Sequence, residues 1–170
     1  MRGTCIAAIS TLAIGLAPVS ARAGDEDGCE FSSAPIVSTY FPVDQGCMSP
    51  VGICTQGTIP SGPLAGTTVF TVLTVDPGDP PSLRLYTGEL LISTLGGDVI
   101  IHDSGTFDTL GLTFSEIDPI VSATGSLSLT TGVLFSNGTQ TLDDTQTPTG
   151  FEGVIFGDLC TQPGDTPPAD

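Results

Sequence analysis

Few side chains in this sequence can do chemistry. His102 is the sole imidazole, Tyr40 and Tyr86 are the only phenols, and three arginines with no lysine make up the cations. No G-x-S-x-G elbow, H-E-x-x-H zinc motif or glycine-rich phosphate loop ending in Lys-Ser/Thr occurs, so most hydrolase and nucleotide-dependent chemistries lose their support. His102-Asp103-Ser104 has the residue types of a serine triad. Neighbours on a strand point to opposite faces, however, so adjacency is the wrong geometry. His102 reads instead as a strand residue at a barrel rim or hydrogen-bonded inside, where a general acid or base role stays open to it.

Arg84 and Tyr86 share a face by the two-residue rule. Facing outward, Arg84 is a partner for one of many carboxylates; facing inward, the two are the polar markers of a ligand cavity. Glu89 and Glu116 fall within β patterns, where an inward carboxylate is costly unless paired, so each is a candidate for a perturbed acid, against the plainer reading of a solvated residue. The cavity candidates are therefore Arg84, Tyr86, His102, Glu89 and Glu116, and none of them is singled out as catalytic. Asp25-Glu26-Asp27, Asp76 with Asp79, and Asp143-Asp144 lack the spacing of known calcium loops and read as solvated turns. There is no CxxC pair and one histidine, so neither a metal nor another cofactor is expected. Asn137-Gly138-Thr139 matches the glycosylation sequon, but Asn-Gly as a turn signal explains it without a sugar.

The elements that would position these groups are strands. No window shows a convincing period of 3.6, while Thr, Val, Ile, Leu and Gly recur with period two. In Thr67 to Val75, Val69, Thr71, Leu73 and Val75 share one face and Phe70 and Val72 the other. Further strands are expected near 36–41, 82–94, 98–104, 110–117, 123–135 and 150–159. Gly96-Gly97 and Asn137-Gly138 are hairpin signals, and 76–81 and 143–149 are wider loops. Short strands joined by glycine-rich turns, with no room for crossover helices, predict an all-β fold, a small antiparallel closed barrel of about eight strands, with a β-sandwich as the alternative. Glycines 88, 105, 125, 132, 153 and 157 favour the barrel, because they permit its sharp bends. Leu90 to Ile92 and Val99 to Ile101 are apolar on both faces, so part of that hairpin needs outside cover, for which a homodimer is one solution.

The opening residues carry an export signal: Arg2, the apolar run 6–16, and Ala21-Arg22-Ala23 at cleavage spacing. Residues 1–23 read as a signal peptide, 24–161 as one barrel domain with a loose start, and 162–170 as an acidic, Pro-rich tail. The apolar run falls far short of the ~20 residues a spanning helix needs, so no membrane insertion of the mature chain is expected. After cleavage Arg84 is the single cation against 19 acidic residues. Such a chain repels phosphate backbones and anionic membranes, which argues against nucleic-acid partners; solubility is the ordinary reason for the charge. Cys29, Cys47, Cys54 and Cys160 are an even set in an exported chain and read as two disulfides. Of three possible pairings, Cys54 with Cys160 and Cys29 with Cys47 is favoured, since the former would join the opening and closing strands of a sheet that wraps on itself. Localisation is accordingly secreted, periplasmic or extracellular.

Several stretches resemble the allene oxide cyclase-like and dirigent-like barrels, particularly an exported bacterial branch. They are Thr87-Gly88-Glu89, Asp103-Ser104-Gly105-Thr106-Phe107-Asp108, the turn 120–127 (Ile-Val-Ser-Ala-Thr-Gly-Ser-Leu), Gly150-Phe151-Glu152-Gly153-Val154-Ile155, the Cys54-Thr55 opening and the Cys160-Thr161 close. The resemblance covers roughly 54–160 and rests on glycine-turn signatures. It implies an eight-stranded barrel with an apolar cavity; plant relatives cyclise a fatty-acid epoxide or steer radical coupling of phenols by holding the substrate in shape. It transfers no catalytic residue.

Three functional classes are expected to compete. The preferred one is a non-catalytic barrel binding a small apolar or phenolic ligand, or a protein partner. The second is a cyclase-like or coupling-directing enzyme that acts by orientation. The third is a structural envelope or matrix protein.

Overall fold

A computed structural model describes residues 28–161, so the expected signal peptide and the acidic tail lie outside the described residues. Eight strands follow in chain order: β1 (Cys29–Tyr40), β2 (Cys54–Ile59), β3 (Gly66–Pro77), β4 (Leu83–Thr94), β5 (Gly97–Asp108), β6 (Thr113–Ala123), β7 (Thr130–Leu142) and β8 (Pro148–Thr161). Each pairs antiparallel with the next, and β1 pairs with β8, closing the barrel. Closure leaves no unpaired sheet edge for another chain to extend. Among the described residues the helical pieces are two 3-10 turns, Val43–Gln45 and Gly125–Leu127, and no helix is long and apolar enough to cross a membrane.

Period two sets what each strand turns inward. On β4 the inward set runs Arg84, Tyr86, Gly88, Leu90, Ile92; on β5 it runs Val99, Ile101, Asp103, Gly105, Phe107. On β3 the inward set is Thr68, Phe70 and Val72, and a register shift between Val72 and Thr74 then brings Val75 inside. The expectation that Val75 shares a face with Val69 fails at that bulge, because one extra residue reverses the alternation beyond it.

The two ends of the barrel are built differently. Ala34, Ile59, Leu64, Leu90, Ile92, Val99, Ile101, Leu134, Ile155 and Leu159 pack into a buried cluster that fills one end. Each of its valine, leucine and isoleucine side chains contributes ~1.5–3 kcal/mol on leaving water. Above that end two turns dock backbone to backbone. Gly97 takes φ +140° and Gly125 φ +61°, and a Cβ on Gly97 would meet Thr124 O at 2.1 Å while one on Gly125 would meet Gly96 O at 2.2 Å. Only glycine fits both the conformation and the space.

The disulfides correct the expected pairing. Cys29 bonds Cys160, and Cys47 bonds Cys54. The reason is where the barrel begins. Composition marks 24–30 as loose, yet β1 starts at Cys29 and runs beside β8 with Cys29 opposite Cys160. The sulfur link does join the opening and closing strands, but the opening strand is β1, and Cys54 instead holds the β1–β2 loop at the other end. Two further boundaries shift. Asn137-Gly138 lies inside β7 rather than in a turn, because Gly138 sits under the Phe114 ring, where a Cβ would approach at 2.7 Å. The strand expected over 123–135 is broken at the Gly125–Leu127 turn.

Candidate functional site

At the end opposite the apolar cluster, the barrel encloses a cavity of about 250 Å³. Its walls are aromatic. Phe151 on β8 is met edge-on by Tyr40 at 5.4 Å, Phe114 at 5.5 Å and Phe107 at 6.0 Å between centroids, and Phe70 meets Tyr86 at 6.3 Å on the facing wall. Such edge-to-face pairs contribute ~0.5–1.5 kcal/mol each beyond their buried area. Rings of this size fit because glycines lie beneath them. A Cβ on Gly88 would sit 2.2 Å from the Phe70 ring, and one on Gly105 would sit 2.6 Å from the Tyr86 ring and 2.8 Å from Glu116 Cγ.

The floor of the cavity is acidic. Asp103 and Glu116 line it, and Asp118 lies behind them. Gly105 is the register partner of both Tyr86 and Glu116, so the phenol crosses the glycine and its hydroxyl donates to Glu116 Oε1 at 2.7 Å. Ser136 Oγ, from β7, donates to Asp118 Oδ2. Asp103 is 2% exposed and Asp118 fully buried. With all three acids ionised, neither Asp103 oxygen nor Asp118 Oδ1 has a donor. A proton kept on Asp103 supplies Asp118 with one and leaves the other Asp103 oxygen without a donor.

Burial is the main cause of how these groups titrate. Asp103 is pushed up to about 10 by burial and then by the charges of Glu116 and Asp118. Glu116 is pushed up to about 8 by burial and the Asp118 charge, against the lowering effect of the Tyr86 hydrogen bond. Asp118 rises to about 6 through burial, offset by the hydrogen bonds from Ser136 and Asp103. Burial and the adjoining acids hold the Tyr86 phenol firmly protonated. The trio therefore stores protons at neutral pH and can give or take one inside a largely apolar enclosure. One oxygen from each acid lies within 4.8 Å of the others, a spacing that could also hold a cation.

The mouth is shaped by the β1–β2 loop. The Cys47–Cys54 bond clasps it, Ser49 Oγ donates to Val72 O at 2.6 Å, and Val72 N donates to Ile53 O at 3.1 Å, placing Ile53 against the cavity. Arg84 also lines this end, but its guanidinium donates to Pro81 O at 2.7 Å and Leu83 O at 2.9 Å. It does not pair with the floor acids.

Of the five residues singled out from sequence, the structure brings Arg84, Tyr86 and Glu116 to the cavity. It does not bring His102 or Glu89. Both stand on the outer wall, paired across β4 and β5 with His102 Nε2 3.5 Å from Glu89 Oε2. This corrects their reading as cavity candidates, and the reason is parity: each neighbours a buried inward residue, Ile101 for His102 and Leu90 for Glu89. Asp103, Asp118 and Ser136 were missed. The signal was available, since Asp103 is two residues beyond Ile101 and Asp118 two beyond Glu116. The exposed acids settle turns. Asp143 Oδ1 accepts from Thr145 N and Thr147 N, and Asp108 Oδ1 from Leu110 N.

No family model, curated protein or solved structure matches this chain. The functional reading rests on the cavity itself.

Proposed function

We propose that this chain is an exported, non-catalytic binding protein whose barrel holds one small, largely apolar molecule. The observation that carries the reading is the blind cavity of about 250 Å³, sealed at one end by the apolar cluster and walled by six aromatic rings. Its volume lies just below the roughly 300–1,000 Å³ usual for drug-sized ligands, which suits a compact ring-bearing molecule better than a long chain. Two disulfides support an oxidising, extracytoplasmic setting. On the outer wall Ile117, Phe135 and Phe156 form a row across β6, β7 and β8, a surface on which a homodimer could form.

Native mass spectrometry of the purified protein tests the reading. A retained molecule of low mass is expected, and it should be lost when Ser38→Phe fills the cavity. A clean protein mass, with no binding of added small aromatics, overturns it.

A second reading is the cyclase-like or dirigent-like enzyme, favoured by the proton-holding groups Asp103, Glu116 and Tyr86 on the cavity floor. In that case Glu116→Gln should trap a molecule that the unaltered protein converts to an isomer of equal mass and different chromatographic retention. Identical molecules recovered from both count against it.

A further inference from the structure

Hydrogen-bond donors at the cavity floor are already engaged. Tyr86 donates to Glu116, Ser136 to Asp118, and Gln140 Nε2 to Tyr40 Oη at 2.8 Å. Arg84, the one Lys or Arg among the described residues, is tied to backbone carbonyls. With Glu116 ionised, the form a bound cation favours, what remains at the floor is acceptor: Asp103, 2% exposed and with an oxygen that no donor reaches in either protonation state, lines it beside Glu116. A buried acceptor without a donor costs ~1–3 kcal/mol, and more when charged.

We propose that the molecule held in the barrel is an amine, its ammonium group seated on Asp103 and Glu116 and its apolar body among the aromatic rings. This deepens the binding reading above and rests on it. An ammonium brings donors and no acceptor, which is the complement of this floor. A hydroxyl brings one donor together with lone pairs that face carboxylates, and a carboxylate brings acceptors and a like charge. The walls suit the same group, since Tyr86 and Phe70 stand beside the floor and a ring face attracts a cation by ~0.5–2 kcal/mol. The whole chain adds direction. With 19 acidic residues against three arginines, its field draws cations toward a low-dielectric cleft and turns anions away.

A bare metal ion is the rival occupant, because the three acids are close enough to hold one. Hard ions seek about six or more oxygens at short range, and above the floor rings and aliphatic side chains predominate, with only scattered polar groups such as Ser38, Thr55 and Gln140 among them. An organic cation uses both halves of the site, whereas a metal uses only the floor.

Three ligands that share one body separate the possibilities: 2-phenylethylamine, 2-phenylethanol and phenylacetate, each titrated calorimetrically into the full protein at pH 7, with calcium and manganese chloride titrated separately. The amine is expected to bind at least tenfold more tightly than the alcohol, and phenylacetate not measurably. Asp103→Asn combined with Glu116→Gln should bring amine and alcohol within threefold of each other, with near-ultraviolet circular dichroism reporting that the fold is kept. Should the double substitution unfold the protein, Glu116→Gln alone serves, with an expected loss of severalfold in amine preference. Alcohol binding as tightly as amine overturns the proposal and leaves the apolar-ligand reading standing. Binding by none of the three overturns both. Calcium or manganese that binds at the floor and excludes the amine overturns the proposal in favour of a metal.

Discussion

Followed along a single strand, β5 changes character halfway. Val99 and Ile101 point into a packed interior from which water is excluded, while Asp103, Gly105 and Phe107, in the same inward register, face an enclosed space. β4 makes the same change from Ile92 and Leu90 to Tyr86 and Arg84. The β4–β5 ladder is unbroken through both halves, so the difference along these two strands lies in their side chains. Branched aliphatics interlock and fill their end; rings laid over glycines meet edge-on around the wall and leave the space between the walls open. Stability and binding capacity are thus separated by position along the barrel axis, and the acids sit at the boundary between them.

The sharpest way to break the contrast is through the disulfides. Cys29–Cys160 spans 131 residues at the filled end and Cys47–Cys54 spans 7 at the mouth. Chain entropy assigns the longer link about 5 kcal/mol and the shorter about half of that. Replacing Cys29 and Cys160 by serine should therefore lower stability in denaturant titration by ~2–5 kcal/mol. Replacing Cys47 and Cys54 should cost less and act mainly on ligand retention.

Next in size, Ile101→Ala removes a fully buried side chain from the cluster and should cost ~2–5 kcal/mol in the same titration. Ser38→Phe, at the open end, should cost under about 1 kcal/mol. Equal losses would mean that the two halves are packed alike.

The acids at the boundary act through pH, with a sign opposite to that of an ordinary stabilising carboxylate. Asp103, Glu116 and Asp118 bind protons more tightly in the folded state than in the unfolded chain. Stability must then fall as pH rises from about 4, where the unfolded acids ionise, through the folded values near 6, 8 and 10. Tyr86 stays protonated and does not offset this, and the Arg84 guanidinium is tied to the Pro81 and Leu83 carbonyls rather than to these acids. Asp108 and Asp143, lowered by turn hydrogen bonds, act in the other direction only below about pH 4. The ligand-free protein should melt higher at pH 5 than at pH 9, and Asp103→Asn should flatten that slope. A melting temperature that climbs with pH contradicts the burial argument.

Smallest of all, His102→Ala or Glu89→Gln on the outer wall should change stability by no more than ~0.5 kcal/mol and leave binding untouched.

The barrel was legible because alternation and glycine-rich turns both point to an antiparallel closed sheet. The first half of its first strand was not, although residues 36–40 were. Acidic, apolar-poor residues around Cys29 carry no pattern of their own and become ordered through pairing with β8 and the bond to Cys160. Asn137-Gly138 misled for a related reason, since a local turn preference yielded to the need for space under Phe114. Within the site, the two-residue rule placed Arg84 and Tyr86 on one face without saying which face it was. Buried Ile101 and Leu90 decide that question and send His102 and Glu89 outward. Asp103 and Asp118 share the inward parity of Ile101 and Glu116, but hydrophobic patterning assigns acids to solvent, and these two contradict it.

The sealed end also governs how occupants exchange. With a single doorway, the barrel cannot serve as a conduit, and a newcomer cannot push its predecessor out from behind. Displacement should then proceed at a rate that levels off with rising competitor concentration, set only by how fast the first molecule leaves.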